Sequence, residues 1–157
     1  MADPIIRRAV EEDIADIRTL TIRAYTKWVE ITPRPPRPMT ADNNQAFADH
    51  RFDLLVDQGR LIGLVETVAE GDELMIVNVA VEPERQGHGH GFTLMRHAEE
   101  IARVSGLAGT RLYTNKRKTS NIALYERLGY EFEKETHHDL GTVAVHMKYS
   151  FSPRRDK

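Results

Sequence analysis

The stretch that most constrains the fold is residues 74–92, LMIVNVAVEPERQGHGHGF, where an apolar run passes through three alternating glycines. The first eight residues have the β-branched, apolar composition of a buried strand. After the glycines, apolar residues recur every three or four positions until Gly106, which predicts a helix that begins at the loop. The chain must therefore combine strands and helices, and the glycine loop joins one to the other.

The alternation of glycine and histidine at 87–91 raises the question of a metal site. His88 and His90 lie two residues apart, and His137 and His138 supply two further imidazoles. No carboxylate or third histidine stands near the loop at the spacing of a zinc site. We therefore expect no metal cofactor, and a metal-binding protein built on these histidines is kept as an alternative function.

Two common nucleotide-binding motifs are excluded by counting. The dinucleotide fingerprint G-x-G-x-x-G fails from Gly87, where the sixth residue is Phe92, and from Gly89, where it is Leu94. No G-K-[S/T] opens the helix, as a P-loop requires. The loop nevertheless favours phosphate, because glycines let backbone N–H groups turn to one side and a helix N-terminus attracts negative charge. One glycine would suffice for a simple turn, so three indicate an anion site.

The rest of the pattern predicts an α/β arrangement with a mixed sheet. Asp57-Gln58-Gly59 is a tight-turn signal between two apolar runs, and a second turn at 70–73 precedes the third run, so these strands form an antiparallel meander. The predicted elements are a strand at 4–9, a helix at 11–28, a proline-rich connection at 33–38, a short helix within 41–50, strands at 51–56, 60–68 and 74–81, a helix after the glycine loop, a strand at 110–114, a helix at 119–128 and two closing strands.

Composition limits the class of protein. The 157 residues carry 22 basic and 24 acidic side chains, a formal net charge of −2, so no overall field attracts nucleic acid. No run approaches the ~18 apolar residues of a membrane span, and the N-terminal residues lack the layout of a secretory signal. Cysteine is absent, which excludes thiolate chemistry. We expect a cytosolic protein of one domain, residues 1–157, with neither a nucleic-acid nor a membrane partner.

Two segments together resemble the GCN5-related N-acetyltransferase (GNAT) family. The first is similar to the family's [Q/R]-x-x-G-x-[G/A] motif between a strand and a helix, and the second to its later helix ending in Y-x-x-x-G-[F/Y]. The order of elements over residues 4–149 also agrees with that family. The matched residues are Gln86, Gly89 and Gly91 in the first motif and Tyr125, Gly129 and Tyr130 in the second.

The resemblance implies a fold and an activity. The fold is a mixed, mostly antiparallel sheet of six to seven strands, flanked by about four helices, with central parallel strands that splay apart. The activity is acetyl-CoA-dependent N-acetyltransfer, in which a primary amine of a small molecule or peptide attacks the thioester directly in a ternary complex. Acetyl-CoA is then the cosubstrate, and a homodimer is an assembly found among relatives.

The resemblance also assigns residues to the acetyl-CoA site. Strand backbone groups pair with the pantetheine arm and loop N–H groups hold the pyrophosphate: Val79, Ala80 and Val81 in the strand, and Gln86, Gly87, His88, Gly89, His90 and Gly91 in the loop. Tyr125 is the general acid for the departing thiolate. Many members have asparagine seven residues before this tyrosine, where this chain has Lys118. Asn121, on the same helical face as Tyr125, is expected to contact the cofactor, and Asn115 at the end of the preceding strand is a weaker candidate. Residues 116–118 either meet cofactor phosphates or form a solvated basic turn.

The acceptor side is less constrained by the sequence. Glu66 is the candidate general base or substrate contact, with Glu73 or a base acting through water as alternatives. Asn78 interrupts an apolar strand and either faces the acceptor or points outward. Tyr25 and Trp28 either wall the substrate pocket or pack in the core. A domain that senses acyl-CoA without transferring the acyl group is the alternative to an enzyme.

Overall fold

Seven strands form one sheet in the part of the chain that the computed structural model describes, residues 3–26, 43–138 and 141–151. The strands are β1 (Ile5–Arg8), β2 (Arg51–Asp57), β3 (Arg60–Glu70), β4 (Glu73–Val81), β5 (Gly109–Asn115), β6 (Glu131–His137) and β7 (Val143–Ser150). Their spatial order is β1-β2-β3-β4-β5-β7-β6. Only β4 and β5 run parallel, and the other neighbours are antiparallel. The expected mixed, mostly antiparallel sheet is confirmed.

Helices cover both faces of this sheet. They are α1 (Ile14–Tyr25), α2 (Asn43–Asp49), α3 (His90–Val104) and α4 (Thr119–Arg127). Because side chains alternate along a strand, Leu54 of β2 enters the core beneath α1, and Leu55 enters the core beneath α3. The buried stripe of α3 contains Leu94 and Met95 at 0% exposure, and burying each such side chain stabilises the fold by roughly 1.5–3 kcal/mol.

The two parallel strands separate after a short contact. β4 pairs with β5 only from Glu73 to Met75, opposite residues 109–111. On its other edge β4 stays paired with β3 up to Val81, with one irregularity: Glu66 faces Asn78 and Thr67 faces Ile76, which leaves Val77 as an extra residue. Such a bulge bends its strand and increases the local twist. The splayed central strands expected from the resemblance are therefore present, and the gap opens toward the glycine loop.

A buried polar network fixes α3 to the second half of the sheet. The carboxylate of Glu99, with 0% exposure, accepts hydrogen bonds from Arg96 at 2.5 Å and from the Tyr130 hydroxyl at 3.1 Å. The Tyr130 oxygen also lies 2.6 Å from the hydroxyl of Thr110 on β5. Because a buried charge is costly unless it is paired, this network holds the end of α4 and the start of β6 in one position relative to α3.

The first helix differs from its prediction at its start. Residues Glu11–Asp13 form a single 3-10 turn, because Asp13 accepts the backbone N–H of Val10 and the side chain of Arg7 and so ends that turn before α1. Trp28 and the proline-rich connection at 33–38 lie outside the described residues. Within the described ranges, no helix is long and apolar enough to cross a membrane.

Candidate functional site

The glycine loop between β4 and α3 presents a row of backbone N–H groups. Gly87 and Gly89 adopt left-handed conformations, with φ of 84° and 85°, and Gly89 is the N-cap of α3. Within the described part of the chain, no backbone carbonyl accepts from the N–H groups of residues 87–92. The N-terminal end of a 15-residue helix lies at the same place. The loop is therefore suited to bind an anion, because both its N–H groups and the helix dipole attract negative charge.

Two side chains hold this loop against the sheet. The amide of Gln86 donates to the carbonyl of Val81 at 3.1 Å, and Arg85 pairs with Asp57 of β2 at 2.8 Å. Gly91 has neither a positive φ nor a close neighbour, since a Cβ built on it would lie 3.9 Å from the nearest heavy atom. Its lack of a side chain is therefore not required by the fold, and it keeps the surface of the loop open for a ligand.

Within residues 3–26, 43–138 and 141–151, the histidines of the loop form no metal centre with other ligands. The rings of His88 and His90 are 6.3 Å apart, and His88 is exposed. His137 and His138 lie at the end of β6, three positions away from β4 in the sheet. Among the described residues, no group of three or more histidine, aspartate or glutamate side chains could hold a metal ion.

The gap between β4 and β5 begins where their pairing ends and reaches the glycine loop. Val79, Ala80 and Val81 remain paired with β3 on one edge of β4, but they lie beyond Met75, where the pairing with β5 ends. The carbonyl of Val79 is 3.4 Å from the hydroxyl of Tyr25. An extended chain lying in the gap could pair with this edge of β4 as an additional strand would.

Tyr125 lies on α4 and packs against the core beneath α3. Its ring is 6.2 Å from that of Tyr130, and its hydroxyl makes no hydrogen bond with the described residues. Burial raises the pKa of Tyr125 to about 12, so the phenol keeps its proton at neutral pH. Asn121 lies one helical turn before Tyr125, and its exposure is intermediate. Tyr125 is thus a half-buried proton donor.

A second polar group lies on the opposite face of the sheet, beneath α1. Asn78 is 4% exposed, so it does not point outward, and its side-chain oxygen accepts the Tyr25 hydroxyl at 2.5 Å. Glu66 faces Asn78 across the β3–β4 pair, and its carboxylate lies 2.6 Å from Nδ1 of His50. These contacts bring together three residues that the sequence analysis proposed separately for the acceptor side.

Burial changes the acid–base properties of this group. Desolvation raises the pKa of Glu66, and the hydrogen bond and charge of His50 partly oppose that rise. The pKa of Tyr25 is also raised, first by desolvation and then by the nearby Tyr125 and Glu66. Tyr25 therefore lies within electrostatic reach of both sides of the site. Glu66 is a stronger base than an ordinary surface carboxylate.

Some residues considered from the sequence lie elsewhere. Glu73 is at the paired end of β4, where it contacts Arg111 at 3.5 Å. Asn115 accepts the backbone N–H of Arg117 at 2.8 Å and shapes the turn before α4. Lys116 pairs with Glu135 of β6 at 2.8 Å. Trp28, proposed with Tyr25 for the pocket wall, lies outside the described residues.

The contacts of two residues of the site, His50 and Lys118, were not predicted from the sequence. His50 was overlooked, although the turn at 57–59 fixes the β2–β3 register that brings it near Glu66. Lys118 was expected either to meet cofactor phosphates or to lie in a solvated basic turn, and its burial contradicts the second expectation. It is 7% exposed, and its Nζ is 4.6 Å from the centroid of the Tyr25 ring.

The chain matches one family model and several curated proteins. The model of the acetyltransferase (GNAT) family matches residues 14–130. Over 76 residues the chain is 32% identical to the [ribosomal protein bS18]-alanine N-acetyltransferase of Escherichia coli K12, and the match covers 48% of this chain and 51% of that relative. The chain is thus matched over about half the length of this curated relative.

Solved structures share the fold over nearly their whole length. The ribosomal-protein-S18-alanine N-acetyltransferase from Escherichia coli superposes with a TM-score of 0.78 at 21% identity, covering 98% of this chain and 97% of that one. The PaiA N-acetyltransferase of Thermoplasma acidophilum in complex with coenzyme A superposes with a TM-score of 0.73 at 19% identity. The match covers 94% of this chain and 100% of that one. A Bacillus subtilis acetyltransferase in complex with CoA superposes with a TM-score of 0.75 at 16% identity. The match covers 96% of this chain and 100% of that one.

Proposed function

Because this chain belongs to the acetyltransferase (GNAT) family, we propose that it transfers an acetyl group from acetyl-CoA to a primary amine. The observation that carries the proposal is the gap between β4 and β5, which opens beside a glycine loop whose N–H groups have no acceptor among the described residues. Two solved structures of similar fold are complexes with CoA. The ribosomal-protein acetyltransferase relative acts, by its name, on an alanine amine.

Two parts of the chain, the glycine loop and the edge of β4, are suited to bind acetyl-CoA. The backbone of residues 86–91 would hold the pyrophosphate through N–H groups and the α3 dipole. The edge of β4 at 79–81 would pair with the amides of the pantetheine arm. Asn121, one helical turn before Tyr125 on α4, is proposed as a further contact. Acetyl-CoA supplies an activated thioester, and the protein needs no covalent intermediate.

The proposed chemistry is direct attack by a neutral amine on the thioester carbonyl. A C–N bond forms, the C–S bond breaks, and the leaving thiolate receives a proton. Tyr125 would donate that proton as general acid, since its raised pKa keeps it protonated and its hydroxyl has no competing partner in the described part of the chain. A strand N–H of β4 would stabilise the developing oxyanion.

Glu66 is proposed to receive the proton that the amine loses. Its carboxylate is 7% exposed and is oriented by His50. Because its pKa is raised, it accepts a proton more readily than a surface glutamate, either directly or through water. Tyr25 and Asn78 would line the acceptor pocket beside this base.

Thiol release with acetyl-CoA and a panel of amines tests the proposal. Tyr125→Phe should lower kcat about 100-fold, within the range of ~10²–10⁴ for general acid–base catalysis, and should leave acetyl-CoA binding unchanged. Stability should be nearly unchanged too, because the hydroxyl has no hydrogen-bond partner among the described residues. Wild-type activity in Tyr125→Phe would remove this residue from the mechanism, and absence of both turnover and acetyl-CoA binding would remove the proposed function.

A non-catalytic acyl-CoA sensor is the competing function. It predicts acetyl-CoA binding in calorimetry without thiol release for any amine, and binding that is equal in wild type and Tyr125→Phe. The half-buried phenol, whose hydroxyl has no hydrogen-bond partner in the described ranges, favours the enzyme, because a sensor has no need of a proton donor at that place.

A further inference from the structure

An exposed aromatic ring stands at the first turn of α3 and has no part in the proposed transfer. Phe92 is the third residue of this helix, and 48% of its surface is exposed. Single exposed apolar residues are common on protein surfaces, so exposure alone does not indicate a ligand. The position of Phe92 does, because this residue follows directly after the glycine loop that is proposed to hold pyrophosphate.

The ring is attached to the backbone of the proposed pyrophosphate site. The N–H of Phe92 belongs to the row of N–H groups, residues 87–92, that donate to no backbone carbonyl in the described part of the chain. Its Cα is about 3.8 Å from that of Gly91, as across any trans peptide bond. The Cα–Cβ bonds of an α-helix tilt toward its N-terminus, so the Phe92 side chain leaves α3 toward the end where the loop lies.

A guanidinium group holds this ring in place. Cζ of Arg96 lies 5.1 Å from the centroid of the Phe92 ring, one helical turn further along α3. Arg96 is fixed in turn, because it donates to the buried Glu99 carboxylate at 2.5 Å and to the carbonyl of Leu128, directly after α4, at 3.2 Å. A cation over an aromatic face attracts the ring. The ring is therefore ordered before a ligand arrives, and binding costs less side-chain entropy.

The chemistry of acetyl-CoA supplies a flat partner for such a ring. The glycine loop and the edge of β4 are proposed for the pyrophosphate and the pantetheine arm, which leaves the adenosine half of the molecule to another part of the chain. Adenosine is joined directly to the pyrophosphate, so a pyrophosphate on the loop brings the adenine close to the first turn of α3. A purine base stacks on an aromatic side chain that offers an accessible ring face.

We propose that Phe92 stacks on the adenine of acetyl-CoA, while Arg96 holds the other face of the ring. This inference rests on the proposed acetyl transfer. It gives Phe92 a role in the affinity for the cosubstrate and none in the chemical step. The adenine could instead belong to a separate nucleotide that binds beside acetyl-CoA, and the experiment separates these two sources.

The experiment measures Kd by calorimetry for acetyl-CoA and for acetyl phosphopantetheine, which lacks the nucleoside. Phe92→Ala should raise Kd for acetyl-CoA about tenfold, as expected when a base loses its aromatic partner, and should leave Kd for acetyl phosphopantetheine unchanged. Phe92→Tyr keeps the ring and should bind both as wild type. Phe132→Ala removes another exposed phenylalanine, on β6, and is the matched control that should also bind as wild type. At saturating acetyl-CoA, kcat should be the same in all of them.

Adenosine 3′,5′-bisphosphate, the nucleotide half of CoA, tests the source of the adenine. It should compete with acetyl-CoA in calorimetry, and Phe92→Ala should weaken its binding by about the same factor. Simultaneous binding of this nucleotide and acetyl-CoA would show a separate nucleotide site and overturn the inference.

Two other results would also overturn it. They are an unchanged Kd for acetyl-CoA in Phe92→Ala and an equal rise of Kd for acetyl-CoA and acetyl phosphopantetheine. If Phe92→Ala does not fold, Phe92→Leu, which keeps apolar bulk without a flat ring, replaces it in the same comparison. Acetyl-CoA binding that does not depend on Phe92 overturns only this inference, whereas absence of both acetyl-CoA binding and turnover overturns the proposed function.

Discussion

Replacing Gly89 by alanine separates the role of the loop backbone in binding from its role in folding. Gly89 has φ of 85°, and a Cβ built there has no heavy atom within 4 Å. Alanine at this position therefore destabilises the fold only through its unfavourable left-handed backbone conformation, without a steric clash. An L-residue in the left-handed region costs about 1–2 kcal/mol, which lowers Tm by about 2–4 °C per kcal/mol in a chain of this size. Gly71, at φ of 62° with the same open surroundings, lies in the turn at the opposite end of β4 and is the matched control.

The two variants should differ in acetyl-CoA affinity. Gly89→Ala places a methyl group beside N–H groups proposed to hold pyrophosphate, and each lost hydrogen bond to a charged group costs about 1.5–3 kcal/mol. Kd should therefore rise about 10- to 100-fold, whereas Gly71→Ala should bind as wild type with a similar fall in Tm. Calorimetry and thermal melts measure both. Unchanged affinity in Gly89→Ala, or equal weakening in both variants, would refute the backbone role of the loop.

Two further predictions concern pH and stability. The hydrogen bond from His50 lowers the pKa of Glu66 from the value that burial alone would set, so His50→Ala should raise it. Activity that needs ionised Glu66 is lost as pH falls through this pKa, and the acidic limb of kcat/KM, corrected for the fraction of neutral amine, should therefore move to higher pH. A limb that stays in place in His50→Ala would exclude Glu66 as its source. Tyr130→Phe should leave the Glu99 carboxylate and the Thr110 hydroxyl each short of one partner, at about 1–3 kcal/mol of the free energy of unfolding. A melting temperature equal to that of the wild type would show that this network does not stabilise the fold.

The sequence predicted most of the fold because its signals are local. The period-two runs, the turn at 57–59 and the glycine ends of α3 and α4 each act within a few residues. The first turn of the first helix was misread because Asp13 binds Arg7, a contact to the preceding strand that helical periodicity does not contain. Likewise, the bulge at Val77 depends on how β4 pairs with β3, which no local pattern specifies.

The sequence predicted the parts of the site that lie within one segment and missed contacts between distant segments. The glycine loop is one contiguous segment, so its residues could be named together from spacing. The pair of His50 and Glu66 was accessible through the β2–β3 register, in which Phe52 faces Glu66, but only by counting across an irregularity near Leu55. Lys118 and Tyr25 lie on elements that are not paired and are far apart in sequence, so their contact required the three-dimensional structure.

A crystal structure with acetyl-CoA tests the central claim most directly. We expect pyrophosphate oxygens within hydrogen-bond distance of the N–H groups of residues 87–91, the pantetheine arm along Val79 to Val81, and the sulfur beside the Tyr125 hydroxyl. Acetyl-CoA bound outside the gap between β4 and β5, or with its pyrophosphate away from the glycine loop, would contradict it.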